Sequence, residues 1–191
     1  MSYIKENRSK FSSWIVKFNN SNINYNTLSN YNDNFPSNAR ASFSSIETLQ
    51  DPFNQNISID SSDNTKLLLP VGKYFLDLRL SIYNGNNLQD YYYYFISGIS
   101  GWVSANNSEE WLGEAIISYY EEQTAWNESR NIRTYYESNN SSDFIRCYTR
   151  RDWSSWSPGG TPQINVNGSS AFSTSTNFPT GESRLLVMRL E

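Results

Sequence analysis

Histidine is absent from this 191-residue sequence. That absence excludes His-based catalytic triads, HExxH zinc sites and the commonest general base. Cysteine occurs once, as Cys147, so no disulfide can form within the chain. Ile145 and Tyr148 beside it suggest an inert thiol in or next to a strand, and the chain reads as one folded in a reducing compartment. Charged residues make up 18% and the net charge is −4, which argues against nucleic acid, because phosphate binding needs clustered Lys and Arg. The nearest basic cluster is Arg146, Arg150 and Arg151, with Arg130 and Arg133 upstream. Glu137, Asp143 and Asp152 intersperse it, and its plainer reading is partly exposed strand arginines. No segment approaches the roughly 20 apolar residues of a membrane span. Met1–Lys10 is polar and no long apolar run follows, so no signal peptide is expected. Gly-rich repeats and heptads are lacking, which speaks against an extended fibre shaft. No EF-hand loop is present; the pairs Asp60/Asp63 and Asp51/Asp60 are weak oxygen-ligand candidates for calcium, and no metal or cofactor is expected.

Aromatic residues are abundant, at 16%, and each large ring can bury about 150–250 Å², so they are the main means of building a core. Asn and Ser are heavily used and favour turns over helix interiors. Together these point to an all-β, loop-rich protein. The clearest structural signal runs from Leu67 to Tyr83. Three leucines end at Pro70-Val71-Gly72, and an alternating run leaves that corner. Tyr74, Leu76, Leu78, Leu80 and Ile82 share one face; Phe75, Asp77, Arg79, Ser81 and Tyr83 share the other. Period two predicts a strand with one buried face.

Around it, residues 1–38 are expected to form an arm or docking segment and residues 39–191 the β-sandwich domain, with Phe11–Phe18 apolar enough for a first strand. Arg40–Leu49 fits a strand over Ala41–Ser45, although Phe43, Ile46 and Leu49 also fit a short helix. Asp51-Pro52 signals a turn and Asn56–Asp60 a short strand. Asn84-Gly85-Asn86-Asn87 predicts a hairpin joining the Leu67–Tyr83 strand to Leu88–Ile96, which carries four consecutive tyrosines, Tyr91 to Tyr94. Ser97–Gly101 reads as a turn. Ser108–Glu122 has a helix-like start but β-rich residues, favouring a strand over Trp111–Tyr120. Ile132–Glu137 and Phe144–Arg150 form a second predicted hairpin. Gln163–Asn167 fits a short strand, Ser169–Thr180 a polar loop and Arg184–Leu190 a terminal strand. Many short strands without βαβ alternation predict a jelly-roll-type β-sandwich.

Without histidine, the remaining enzymatic option is a carboxylate pair of the glycosidase kind, drawn from Glu109, Glu110, Glu114, Glu121 and Glu122 near Trp111 and Trp126. A solvated acidic edge explains the same residues, and a non-enzymatic protein is expected. Aromatics near polar amides are the more plausible site class. Trp102, Trp153, Trp156 and Tyr135 are candidate glycan contacts, with Tyr136 beside them; the same side chains also fit core or subunit interface. Candidate interface residues are Tyr74, Phe75, Tyr83, Tyr91, Tyr92, Tyr93 and Tyr94.

Leu69-Pro70-Val71-Gly72-Lys73-Tyr74-Phe75 resembles the apolar–Pro–x–Gly–x–Tyr–aromatic motif of trimeric jelly rolls of the tumour-necrosis-factor and C1q kind and of their relatives on phage virions. Ser183–Glu191 resembles the closing strand of such phage domains. Ile145–Trp156, with Trp153-Ser154-Ser155-Trp156, is similar to the Arg-containing strand followed by Trp-x-x-Trp in phage and pyocin fibre domains. The match of Trp153–Ser157 to the cytokine-receptor string is set aside, because those domains use disulfides and secretion signals. The resemblance implies a trimeric structural protein of a bacteriophage virion, made in the host cytoplasm. It would be a capsid decoration or a tail- or fibre-associated component whose partners are its own copies and other virion proteins. The alternative it implies is a host-attachment module binding surface glycan at a fibre tip. No nucleic-acid or membrane partner is expected.

Overall fold

The computed structural model describes residues 11–19, 40–84, 91–121, 126–152, 163–164 and 183–190. Trp153, Trp156, most of the arm, the Asn84–Asn87 turn beyond Asn84 and the Ser169–Thr180 loop lie outside them. Eleven strands follow in order: β1 (Ser13–Phe18), β2 (Phe43–Gln50), β3 (Ser58–Ile59), β4 (Leu67–Leu68), β5 (Gly72–Asn84), β6 (Tyr91–Val103), β7 (Ser108–Glu121), β8 (Trp126–Ser138), β9 (Phe144–Asp152), β10 (Gln163–Ile164) and β11 (Arg184–Leu190). The described residues contain no helix.

The strands build two antiparallel sheets. Sheet I runs β8–β5–β11–β1–β2, with β10 beside the far end of β5; sheet II runs β3–β4–β9–β6–β7. The pairings nest. β6 pairs with β7 innermost, β5 with β8 around them, and β4 with β9 outside. This is a long hairpin rolled over itself so that alternate layers fall in opposite sheets, the jelly-roll form of a β-sandwich. β11 then closes sheet I between β5 and β1.

The core lies between the sheets. Tyr74, Leu76, Leu78 and Leu80 of β5 are wholly or almost wholly buried, as the period-two pattern requires. They meet Trp14, Val16 and Phe18 of β1, Leu185 and Val187 of β11, and Ile132 and Tyr136 of β8. Leu67, Ile99, Ile145 and Cys147 close the core from sheet II. Its two phenols are satisfied: the Tyr74 hydroxyl donates to Pro70 O at 2.6 Å and the Tyr136 hydroxyl to Trp102 O at 2.7 Å. Unpartnered, each would cost free energy on burial.

Several expectations are corrected. β5 and β6 do not form a hairpin: β5 pairs with β8 and β11, β6 with β7 and β9. β8 and β9 likewise lie in different sheets. A turn signal specifies a reversal of direction, whereas each of these strands buries its apolar face by crossing to the other sheet. Ser97–Gly101 is the interior of β6, not a turn. A Cβ on Gly98 would overlap the Trp111 ring and stand 2.9 Å from Gly113 O, so this glycine makes room for a tryptophan. The reversal comes later, at residues 104–107, where Asn106 N–H donates to Val103 O at 3.0 Å and Asn107 adopts φ 48°. The helical alternative at Arg40–Leu49 is displaced by strand β2, and Ser108–Glu121 is strand β7. Residues 13–18, within the stretch assigned to the arm, form a strand inside sheet I, so the sandwich starts before residue 39.

Candidate functional site

Each sheet turns a second face away from the core, and the two faces differ. On sheet I the cross-strand registers set Tyr135, Phe75 and Met188 side by side across β8, β5 and β11. The next row holds Arg133, Asp77, Leu186 and Ile15; the next holds Asn131, Arg79, Arg184 and Lys17. Phe75, Met188, Leu186 and Ile15 are half-buried, and Tyr135 is 69% exposed. The Phe75 and Tyr135 rings lie 5.4 Å apart at 59°, a favourable tilted geometry. Arg133 Nε donates to Asp77 Oδ2 at 3.0 Å. Arg79 and Arg184 stand directly opposite each other, and Arg79 Nε is buried without a hydrogen-bond partner among the described residues. Like charges in that position destabilise a sheet. The face is an apolar, aromatic strip flanked by a cationic row.

Sheet II carries Phe144, Arg146 and Tyr148 outward from β9, alternating with the core residues Ile145 and Cys147. Ser100 of β6 lies opposite Arg146, and Glu109 of β7 lies opposite Trp102. Arg146 is 5% exposed and all three of its nitrogens are engaged. Nη1 donates to Glu109 Oε2 at 2.6 Å, Nη2 to Asp63 Oδ2 at 2.8 Å and Nε to Thr65 Oγ1 at 3.3 Å. Glu109 Oε1 also accepts from the Ser100 and Tyr148 hydroxyls, each at 2.6 Å. The loop before β4 supplies Asp63, Thr65 and Lys66 and covers this face. Burial works against ionisation of Asp63, but bonds from Thr65 and Arg146 outweigh it and hold the carboxyl well below the usual range. Burial likewise disfavours charge on Arg146, yet Asp63 and Glu109 prevail and raise its pKa. Tyr148 is pushed up to about 12 by burial and by its bond to Glu109.

Next to this network an open cleft of about 650 Å³ is lined by Lys66, Trp102, Asn107, Asn140, Phe144 and Arg146, among others. The Trp102 and Phe144 rings are 5.7 Å apart, with Arg146 Cζ 4.7 Å and Lys66 Nζ 5.1 Å from the Phe144 centroid.

These geometries redistribute the sequence candidates. Tyr74 is wholly buried and points into the core, so it cannot meet a second subunit as the interface assignment required; burial pushes its phenol up to about 12. Phe75 remains on the surface of sheet I. Tyr83 and Tyr91–Tyr94 lie in β5 and β6, with side chains outside the described set. Tyr135 and Trp102, both candidate glycan contacts, occupy the outer faces of opposite sheets and cannot converge. Trp153 and Trp156 lie outside the described residues. Arg146 is not a partly exposed strand arginine: Asp63 and Glu109 bury it. Glu109 and Glu110 alternate across β7, and Glu109 is committed to Arg146, Ser100 and Tyr148. Asp60 caps the Ser62 amide and hydroxyl, Asp51 accepts from the Ser12 hydroxyl, and among the described residues no group of three acidic or thiol side chains could hold a metal. Cys147 is buried, and burial pushes its thiol up, away from the reactive thiolate. Sequence reasoning missed the Asp63–Arg146–Glu109 network, because its members are 83 and 37 residues apart. No protein-family model matches the chain, and no curated protein matches it.

Proposed function

We propose that this chain is a non-enzymatic structural protein of a bacteriophage virion. In this reading it is a capsid-decoration or tail- or fibre-associated component that assembles as a homotrimer through the outer face of sheet I. The observation that carries the reading is the row Tyr135–Phe75–Met188 with its flanking Leu186 and Ile15, which the described residues leave half-buried or exposed. Aromatic residues, Met and Arg are the types enriched at subunit interfaces, and this face holds all three. The opposed arginines Arg79 and Arg184 call for an acidic neighbour, which a chain of net charge −4 can supply from a second copy, whereas Lys17 beside them already pairs with Glu47 at 3.5 Å.

The stretches that carry the resemblance support the reading in a second way, because two of them are neighbours in space. Tyr74 pairs with Arg189, the Tyr74 hydroxyl holds Pro70 O, and Arg189 Nη2 donates to Val71 O at 2.8 Å. Gly72, at φ 156°, lets the Arg189 guanidinium approach; a Cβ there would lie 2.7 Å from Nε. The Pro-Val-Gly corner and the terminal strand thus form one structural unit.

Multi-angle light scattering at micromolar concentration tests the assembly, and mass spectrometry of purified particles tests the location. A trimer that Phe75→Glu converts to monomer, together with presence in the particle, is the expected result. A monomeric wild-type chain absent from particles would sink the reading.

A further inference from the structure

We propose that the cleft on the outer face of sheet II binds the ring of a neutral sugar, with Trp102 and Phe144 as its apolar wall and Asn107, Asn140 and Ser142 as its hydrogen-bonding rim. This inference does not depend on the oligomeric state or on the virion assignment.

The volume of about 650 Å³ lies within the roughly 300–1,000 Å³ range of small-molecule sites and is too small for a folded partner. The chemistry of the lining selects among small molecules. An anion needs an uncommitted cation, but Arg146 is already paired with two carboxylates, Asp63 and Glu109, and Lys66 Nζ stands 3.7 Å from Asp63 Oδ2. The Glu109 carboxylate in the same lining would repel an anion further. A purely apolar ligand would strand the polar side chains that line the rest of the cleft. What remains uncommitted is neutral. The side chains of Asn107, Asn140 and Ser142 make no hydrogen bond among the described residues, and they offer donors and acceptors together. A sugar ring matches this set: its hydroxyls both donate and accept, and its C–H face packs on an aromatic ring.

The rim is held in place by the fold. Asn107 sits in the β6–β7 turn at φ 48°. Asn140 sits in the β8–β9 turn, where Asp143 Oδ2 accepts from the Asn139 and Asn140 amides at 2.8 and 3.1 Å and Ser104 Oγ donates to Asp143 Oδ1 at 2.6 Å. Asp143 therefore ties the two turns together and orients both sides of the cleft without facing the ligand itself.

The test is a titration of the full ¹⁵N-labelled chain with neutral mono- and disaccharides, with sialic acid and inorganic phosphate in parallel. The indole N–H of Trp102, identified from Trp102→Phe, and the side-chain amides of Asn107 and Asn140 should shift with a subset of neutral sugars. Asn140→Ala and Ser142→Ala alter exposed turn positions and should retain the fold while weakening binding about five- to tenfold each. No shift with any neutral sugar overturns the proposal. So does a shift confined to other tryptophans, or unchanged affinity in both turn variants. A response to sialic acid or phosphate alone would replace it with an anion site centred on Lys66.

Discussion

The outer faces of the two sheets solve the same problem in different ways. A sandwich core covers one side of each sheet and leaves the other to water or to a further layer. On sheet II the protomer supplies that layer: the loop carrying Asp63, Thr65 and Lys66 folds over β9, and Arg146 is enclosed between two carboxylates. On sheet I no such loop covers Phe75, Tyr135 and Met188 among the described residues. Charge is therefore buried where a second layer pairs it, and apolar surface stays open where that layer is missing. The first arrangement belongs to folding. The second, in our reading, belongs to assembly.

The largest effect that sharpens this contrast is expected at Arg146. Arg146→Ala removes the cation between Asp63 and Glu109, leaving Asp63 only Lys66 at 3.7 Å and Glu109 its hydroxyl donors, and removing one partner of a buried pair costs about 3–5 kcal/mol. Urea unfolding of the isolated protomer should show the loss directly. A cost near zero would mean that sheet II is not organised by this network. Gly98→Ala comes next. The added methyl collides with Trp111 and the β7 backbone, and overpacking of this kind costs about 1–3 kcal/mol by the same measurement.

Acid should act on sheet II as well. The Asp63 pKa is lowered in the folded state, so the native chain binds fewer protons than the unfolded one. The resulting stability is present above the ordinary Asp value of about 4 and is lost as pH falls below it. Asp63→Asn should be less stable at neutral pH yet show a shallower decline in melting temperature below about pH 4. An unchanged acid slope would place the acid sensitivity elsewhere. The smallest change in protomer stability belongs to sheet I: Tyr135→Ser should alter it by no more than about 0.5 kcal/mol. In the trimer the same substitution should weaken association by about 2 kcal/mol or more, visible as a shift in the sedimentation equilibrium. A large loss of protomer stability would make the strip part of the fold and erase the contrast.

Period-two patterning located β5 and its buried face, the apolar β1 and β11, and the all-β class, because alternation is a local property of one strand. Alternation also set Phe75 on the outer face of β5, where it lies on the open strip; the grouping of aromatics with polar amides picked out Trp102, which lines the cleft. It misplaced Tyr135, since a residue's face is defined only relative to the sheet its strand joins. Asn107, Asn140 and Ser142 went unnoticed among so many polar turn residues; the aromatic neighbours that distinguish them arrive from other strands.

The sequence by itself determined that this protein is a β-sandwich, lacking the side chains of His-based catalysis and any disulfide within the chain. Those follow from composition and from alternation, which need no partner. The core that the chain builds is mainly aliphatic, with Trp14, Phe18, Phe43, Tyr74 and Tyr136 as its aromatic members. The tertiary structure alone decided which strands pair. β5 meets β8 and β6 meets β9 across intervals that no turn signal spans, because each strand has two edges and closure of the roll selects among them. It alone turned Arg146, Glu109 and Asp63 from scattered charges into one buried network, because the energy of a charge depends on what surrounds it. It alone showed that Gly98 is room for a tryptophan and not a turn.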